Sequence, residues 1–195
     1  MPQDRQALRQ HLRQQRRALS PQQQRQASQA LAQRLIDQPE MDQAGTIALY
    51  LANDGEPNLM PLIRLLWQQH KPLALPVMHP NDPERIQFQR FAPDSAMVNN
   101  RYGIAEPAWA ESDTLPREQI DLMLMPLVGF DEQGNRLGMG AGYYDRYLAG
   151  KGSRPLLVGC AHECQRLEGL ESAPWDIPLD AVVTPERWLT VRNCS

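Results

Sequence analysis

Short apolar runs recur along this 195-residue chain, and the stretches between them repeat with a helical period. That alternation limits the fold more than any other feature, because strands buried on both faces need helices to cover them. Thr46-Ile-Ala-Leu-Tyr-Leu51, after Gly45, is rich in β-formers and predicts a fully buried strand, as does Asp121-Leu-Met-Leu-Met-Pro126. Leu73-Ala-Leu-Pro76 predicts a short strand closed by proline, and Ile86-Gln-Phe-Gln-Arg-Phe91 alternates as a half-exposed strand does. Leu156–Cys160 and Ala181–Thr184 supply two more.

The intervening segments are helical. Leu8 and Leu12 with the following arginines predict a helix over about residues 3–18. Ser20-Pro21 then restarts one, with serine as N-cap, proline in the first turn, and Ala27, Ala30, Leu31, Leu35 and Ile36 as its apolar stripe. Leu59, Leu62, Ile63, Leu66 and Trp67 mark a third, and Tyr143 to Leu148 a short fourth. Seventeen prolines fall mostly at these boundaries, which fits many short elements and excludes a long coiled coil. The expectation is a single three-layer α/β domain with a mostly parallel central sheet flanked by helices, preceded by a basic helical segment over about residues 1–38. Ligands bind such sheets beyond the carboxyl ends of the strands.

Charge is uneven. Residues 1–36 carry seven arginines against one acid, Asp4, so this arm is +6 and the remainder −9 within a net −3. A basic arm on an acidic body suits a polyphosphate partner or a nucleic acid. Stacking on nucleic-acid bases needs aromatic residues among the arginines, and residues 1–36 contain none. No apolar run approaches the ~20 residues of a membrane-spanning helix, and the start lacks the apolar stretch of a secretory signal. The arginine-rich, acid-poor start is similar to a mitochondrial transit peptide, but nothing in it reads as a cleavage site. The chain is expected to be cytoplasmic, with no membrane and no nucleic acid among its partners, and to act as a monomer. Cys160-Ala-His-Glu-Cys164 invites a metal reading, yet zinc requires a second ligand pair that the sequence lacks, so Cys160, Cys164 and Cys194 are read as free thiols.

Chemistry concentrates in one stretch, Gly129-Phe-Asp131, Gly134, and Arg136-Leu-Gly-Met-Gly-Ala-Gly-Tyr-Tyr-Asp145. It leaves a buried strand, turns at Gly134, presents three alternating glycines and enters a helix. Glycines let backbone N–H groups approach an anion closely, and the following helix adds orphan donors. Arg136 contributes a fixed positive fork. The pattern is neither the G-x-x-x-x-G-K-[ST] phosphate loop nor the G-x-G-x-x-G dinucleotide fingerprint. From glycines alone, a structural turn and an anion cradle are equally open.

The stretch resembles the signature of the 5-formyltetrahydrofolate cyclo-ligase family, also called methenyltetrahydrofolate synthetases. Asp54-Gly-Glu56, Leu75-Pro76, Glu106-Pro107, Trp175-Asp-Ile-Pro-Leu-Asp180 and the N-terminal Arg5-Gln-Ala-Leu-Arg9 fall in the family's order, so the resemblance spans essentially the whole chain. It implies ATP- and Mg²⁺-dependent cyclisation of 5-formyltetrahydrofolate to 5,10-methenyltetrahydrofolate. It further implies ATP contacts at Arg5, Arg9, Arg136, Leu137, Gly138, Met139, Gly140, Ala141, Gly142, Tyr143 and Tyr144, with Arg136 and Tyr143 catalytic. Folate would meet Leu51, Glu56, Tyr102, Met139 and Tyr143, and Mg²⁺ would meet Asp145 and Asp180, with Asp176 a nearby alternative. The family's first basic position is usually lysine; here it is Arg5. Some members carry basic residues where this chain has Met139 and Ala141, so phosphate contact there falls to the backbone. Arg13, Arg16 and Arg17 are read as surface charge. Two other readings share the residues: a phosphate-ligand enzyme on a related scaffold, such as a sugar-phosphate isomerase or a CoA-transferase-like protein, and a nucleotide- or RNA-binding regulatory module.

Overall fold

A computed structural model describes residues 4–150 and 152–191, so Gln3 at the start of the expected first helix and Cys194 lie outside the described residues. Helix α1 (Arg5–Arg17) begins where the Asp4 carboxylate accepts from the Gln6 and Ala7 amides, at 3.0 and 3.1 Å. Helix α2 (Pro21–Ile36) begins at a capping box: Ser20 Oγ accepts from Gln23 N, and Gln23 returns a bond to Ser20 N. The chain continues through α3 (Pro39–Gln43), β1 (Ile47–Ala48), α4 (Met60–Gln68), β2 (Leu73–His79), β3 (Asp82–Phe91), β4 (Met97–Asn99), β5 (Ala105–Pro107) and β6 (Thr114–Leu115). It ends with β7 (Leu122–Pro126), β8 (Gly129–Phe130), β9 (Arg136–Leu137), α5 (Tyr143–Leu148), β10 (Leu156–Cys160), β11 (Ala181–Val183) and β12 (Trp188–Thr190). No helix among the described residues is long and apolar enough to cross a membrane.

Eight strands form one sheet in the order β12-β11-β10-β7-β1-β2-β3-β6. The five from β11 to β2 are parallel, and antiparallel strands close both edges. One face packs Ile47, Leu73, Leu122, Leu124 and Val158 against Leu31, Leu35, Leu62, Ile63 and Leu66 of α2 and α4. The other packs Ala48, Ala74, Met123, Met125 and Leu157 against Leu148 and the tyrosines of α5. Three layers result, as the apolar runs imply, although the second helical layer is only a six-residue helix with its loops.

Two local expectations change. Pro76 does not end β2, which continues to His79. Pro76 pairs with Phe88, and Met78, two residues on with the same orientation, donates its N–H to Glu106 instead of to β3. The missing proline N–H therefore faces away from β3, so no ladder bond is lost. The second change is Arg16, which is fully buried with 0 % exposure.

Helix α1 is itself part of the packed body. Leu12 sits with Val128, Leu137 and Leu170, and a Cβ on Gly129 would come within 2.6 Å of the Leu12 methyl. Only glycine at 129 lets the β8–β9 hairpin lie this close to the helix.

Candidate active site

Because β1 leads through α4 to β2 on one side while β7 pairs on its other side, a crevice opens where the chain departs in opposite directions. A cleft of about 670 Å³ occupies that point. Tyr50 and Leu51 beyond β1, Leu75 to Met78 of β2, and Pro126 at the end of β7 line it from the sheet.

The glycine loop forms another wall. Gly140 and Gly142 adopt φ of +104° and +69°, a region that disfavours side chains, and Gly142 caps α5. Arg9 reaches across from α1 and donates from Nε to the Gly138 carbonyl at 2.8 Å. Burial and the neighbouring Arg5 lower the Arg9 pKa. Arg5, one turn earlier on the same face, donates to Asp176 at 2.8 Å and to the Glu171 carbonyl. Arg146 donates to the Ala141 carbonyl at 2.7 Å and to Glu84 O, tying the far side of the loop to β3.

Arg136 is 5 % exposed and pairs closely with Asp145, while its Nε has no partner among the described residues. The backbone of Ile177 also donates to Asp145 Oδ1, at 3.3 Å, and no described group reaches Oδ2. Tyr144 turns its phenol into the protein, and burial pushes that hydroxyl's pKa up. The tip of the β4–β5 hairpin closes over Tyr143, whose hydroxyl accepts from Arg101 and donates to the Pro83 carbonyl. The Tyr102 hydroxyl lies 3.0 Å from it.

At the opposite end stands Glu56, its side chain 9 % exposed. It accepts from the Asn53 amide at 3.0 Å. Burial lifts its pKa to about 7, against the partial compensation of that bond and of Arg16. Asp54, beside it, behaves oppositely. Burial would raise its pKa, but hydrogen bonds from Arg13, Arg16 and Arg17 bring it down to about 2.

The cleft thus gathers Arg5, Arg9, Arg136, Gly138, Met139, Gly140, Ala141, Gly142, Tyr143, Tyr144, Leu51, Glu56, Tyr102 and Asp145 from distant parts of the chain. Two expected residues stand apart from it. Leu137 is fully buried against Leu12 and Val128, so it holds the loop without lining the cleft. Asp180 is outside the cleft too: both its oxygens take the Arg154 fork, at 2.6 and 2.8 Å, and Oδ2 also accepts from Leu157 N. It is therefore a clamp between the loop before β10 and β11, not a partner for Asp145. His162 donates to the Gly55 carbonyl at 3.1 Å with Nε2 as the protonated nitrogen, burial lowers its pKa to about 4, and Cys160 and Cys164 are free. The sequence reading took Arg16 for surface charge and gave no site role to Asp54 or to Glu106, which accepts from Asn100 at 3.0 Å and from Met78. For Arg16 a signal existed: Arg9, Arg13 and Arg16 continue one helical stripe.

An α/β body with basic side chains and a glycine loop at one end of its crevice, and the buried carboxylates of Asp54 and Glu56 at the other, has the build of an enzyme. The chain belongs to the 5-formyltetrahydrofolate cyclo-ligase family, whose model matches residues 1–185. A 5-formyltetrahydrofolate cyclo-ligase of Escherichia coli K12 is 45% identical over 90% of this chain and 97% of its own length. That of Haemophilus influenzae is 42% identical over 91% and 95%. The solved 5,10-methenyltetrahydrofolate synthetase of Aquifex aeolicus superposes with a TM-score of 0.85 at 32% identity, covering 98% of this chain and 94% of its own.

Proposed function

We propose that the protein converts 5-formyltetrahydrofolate to 5,10-methenyltetrahydrofolate, consuming ATP with Mg²⁺ and releasing ADP and phosphate. The observation carrying this reading is the shared cleft, with the glycine loop under Arg9 at one end and Glu56 at the other. The formyl group on N5 is an amide, too poor an electrophile for N10 to displace its oxygen. Transfer of the ATP γ-phosphoryl group to that oxygen makes it a leaving group. N10 of the same molecule then attacks at high effective concentration, and phosphate departs. The protein's task is to align the two substrates and neutralise phosphate charge.

The residues suit that division. Arg5, Arg9 and the amides from Gly138 to Gly142 receive the nucleotide's phosphates, Met139 and Ala141 contributing backbone only. Arg136, desolvated and with its Nε–H unpaired among the described residues, steadies the transferring group. Glu56 accepts the paired N–H donors of a pterin edge, with Leu51, Met139, Tyr102 and Tyr143 as the surrounding surface. Asp145, beside the glycine loop, is the residue that would hold Mg²⁺, which would supply charge neutralisation at the phosphates; one carboxylate suits an ion that otherwise keeps phosphate and water oxygens.

Mixing purified protein with 5-formyltetrahydrofolate, ATP and Mg²⁺ should produce the near-ultraviolet absorbance of the methenyl product, with matching ADP release. Product without ADP, or ADP without product, would rule the reading out. Glu56→Ala should weaken folate use.

A further inference from the structure

We infer that Arg16 is a positioning residue for the carboxylate that receives the substrate: it fixes the Asp54–Glu56 turn against α1 and so sets where Glu56 stands. This deepens the proposed function and rests on Glu56 meeting the folate.

Arg16 makes an unusual set of contacts for a surface-type side chain. From full burial, Nε donates to the Asp54 carbonyl at 2.7 Å, Nη1 to the Leu127 carbonyl at 3.0 Å, and Nη2 to Asp54 Oδ2 at 2.8 Å. The same Nη2 lies 3.7 Å from Glu56 Oε1. The planar fork thus spans three things at once: the loop after β1, the end of β7, and the carboxylate facing the cleft. An ammonium is a single point and cannot reach all of them. Asp54 has a positive φ of 54°, Gly55 one of 78°, and a Cβ on Gly55 would lie 3.2 Å from the Arg16 carbonyl. The left-handed pair wraps tightly around the helix end, and His162 holds the Gly55 carbonyl from the other side. Gln165 shares the Leu127 carbonyl at 2.8 Å, so the buried acceptors are also fixed from β10's side.

The charge of Arg16 matters as well as its reach. Facing Glu56 are Arg16 and Arg13 from α1, Asp54 from its own turn, and the buried phenols of Tyr50 and Tyr144 from the sheet and α5. Of these the two arginines alone favour the ionised carboxylate; Asp54 opposes it. Weakening Arg16 therefore raises the Glu56 pKa further, and the ionised form that accepts N–H donors becomes scarcer at neutral pH.

The test is Arg16→Lys, read by steady-state kinetics on the intact enzyme. The KM for 5-formyltetrahydrofolate should rise about tenfold, more than kcat falls, and the pH midpoint of folate affinity should move upward. In a Glu56→Gln background the same change should add little, because the residue it acts through is gone. An unchanged midpoint, or an equal loss in that background, overturns the inference. Should circular dichroism find Arg16→Lys unfolded, Gly55→Ala decides instead. It pushes the turn off α1 with Arg16 intact, and must raise the folate KM only when Glu56 is present. A wild-type enzyme that fails to turn over 5-formyltetrahydrofolate would sink the proposed function itself, a result separable from both.

Discussion

Substituting Gly140 with alanine tests the proposal that the glycine loop cradles the nucleotide's phosphates. Its φ of +104° is a conformation that L side chains rarely adopt, while the added Cβ would lie 3.5 Å from Arg9 Cζ, an ordinary contact. The cost is therefore backbone strain, with no clash: about 1–3 kcal/mol if the loop keeps its shape. At about 2–4 °C per kcal/mol for a chain of this size, the melting temperature should fall by about 2–12 °C. Relief of the strain would turn an amide away from the phosphates. One charge-assisted hydrogen bond, about 1.5–3 kcal/mol, corresponds to a rise of about 10- to 150-fold in the KM for ATP. Gly103→Ala is the control, because Gly103 has a φ of +72° at the β4–β5 tip with nothing within 4 Å of its Cβ. It carries similar strain away from the loop. Initial rates against ATP, alongside thermal melts, separate the two effects. If both variants melt early but Gly140→Ala keeps the wild-type KM for ATP, the amides do not grip the nucleotide.

The two aspartates should part company. Asp145→Asn should shift the Mg²⁺ activation curve to higher concentration, whereas Asp180→Asn should lower the melting temperature through the lost Arg154 clamp and leave that curve unchanged. Acid should weaken the fold through Asp54. Its pKa lies below the unfolded value of 3.8, so its stabilisation is complete above that pH and is lost as pH falls through about 2. That is on the order of 2 kcal/mol in denaturant titrations, and Asp54→Asn should flatten the dependence. Since Leu12 and Arg16 are buried without any ligand, amides at the C-terminal end of α1 should resist hydrogen exchange in the free enzyme. Fast exchange there would mean that α1 joins the body only when nucleotide binds.

What the sequence discloses is what local chemistry decides. Ser20 and Pro21 start α2 wherever the rest of the chain goes, and a run such as Leu122–Met125 must be covered on both faces in any fold. The glycine loop is legible for the same reason: its backbone needs are written in its own residues. Pro76 misleads because its effect depends on which neighbour a strand edge faces, and β1 pairs β2 only at Leu73 and Ala74.

Arg16 and Asp180 fail for one deeper reason. A charged residue's role is set by the partner that desolvates it, and here those partners lie 38 and 26 residues away. Asp180 resembles a metal ligand until Arg154 takes both its oxygens. Arg16 resembles a solvated charge until the Asp54–Gly55 turn folds over it. Once that turn closes, leaving Arg16 without Asp54 would strand a buried cation, so the two are bound to appear together. The same closure brings Glu56 beside the guanidinium, so the docking of α1 and the shape of the Glu56 end of the cleft depend on one set of contacts.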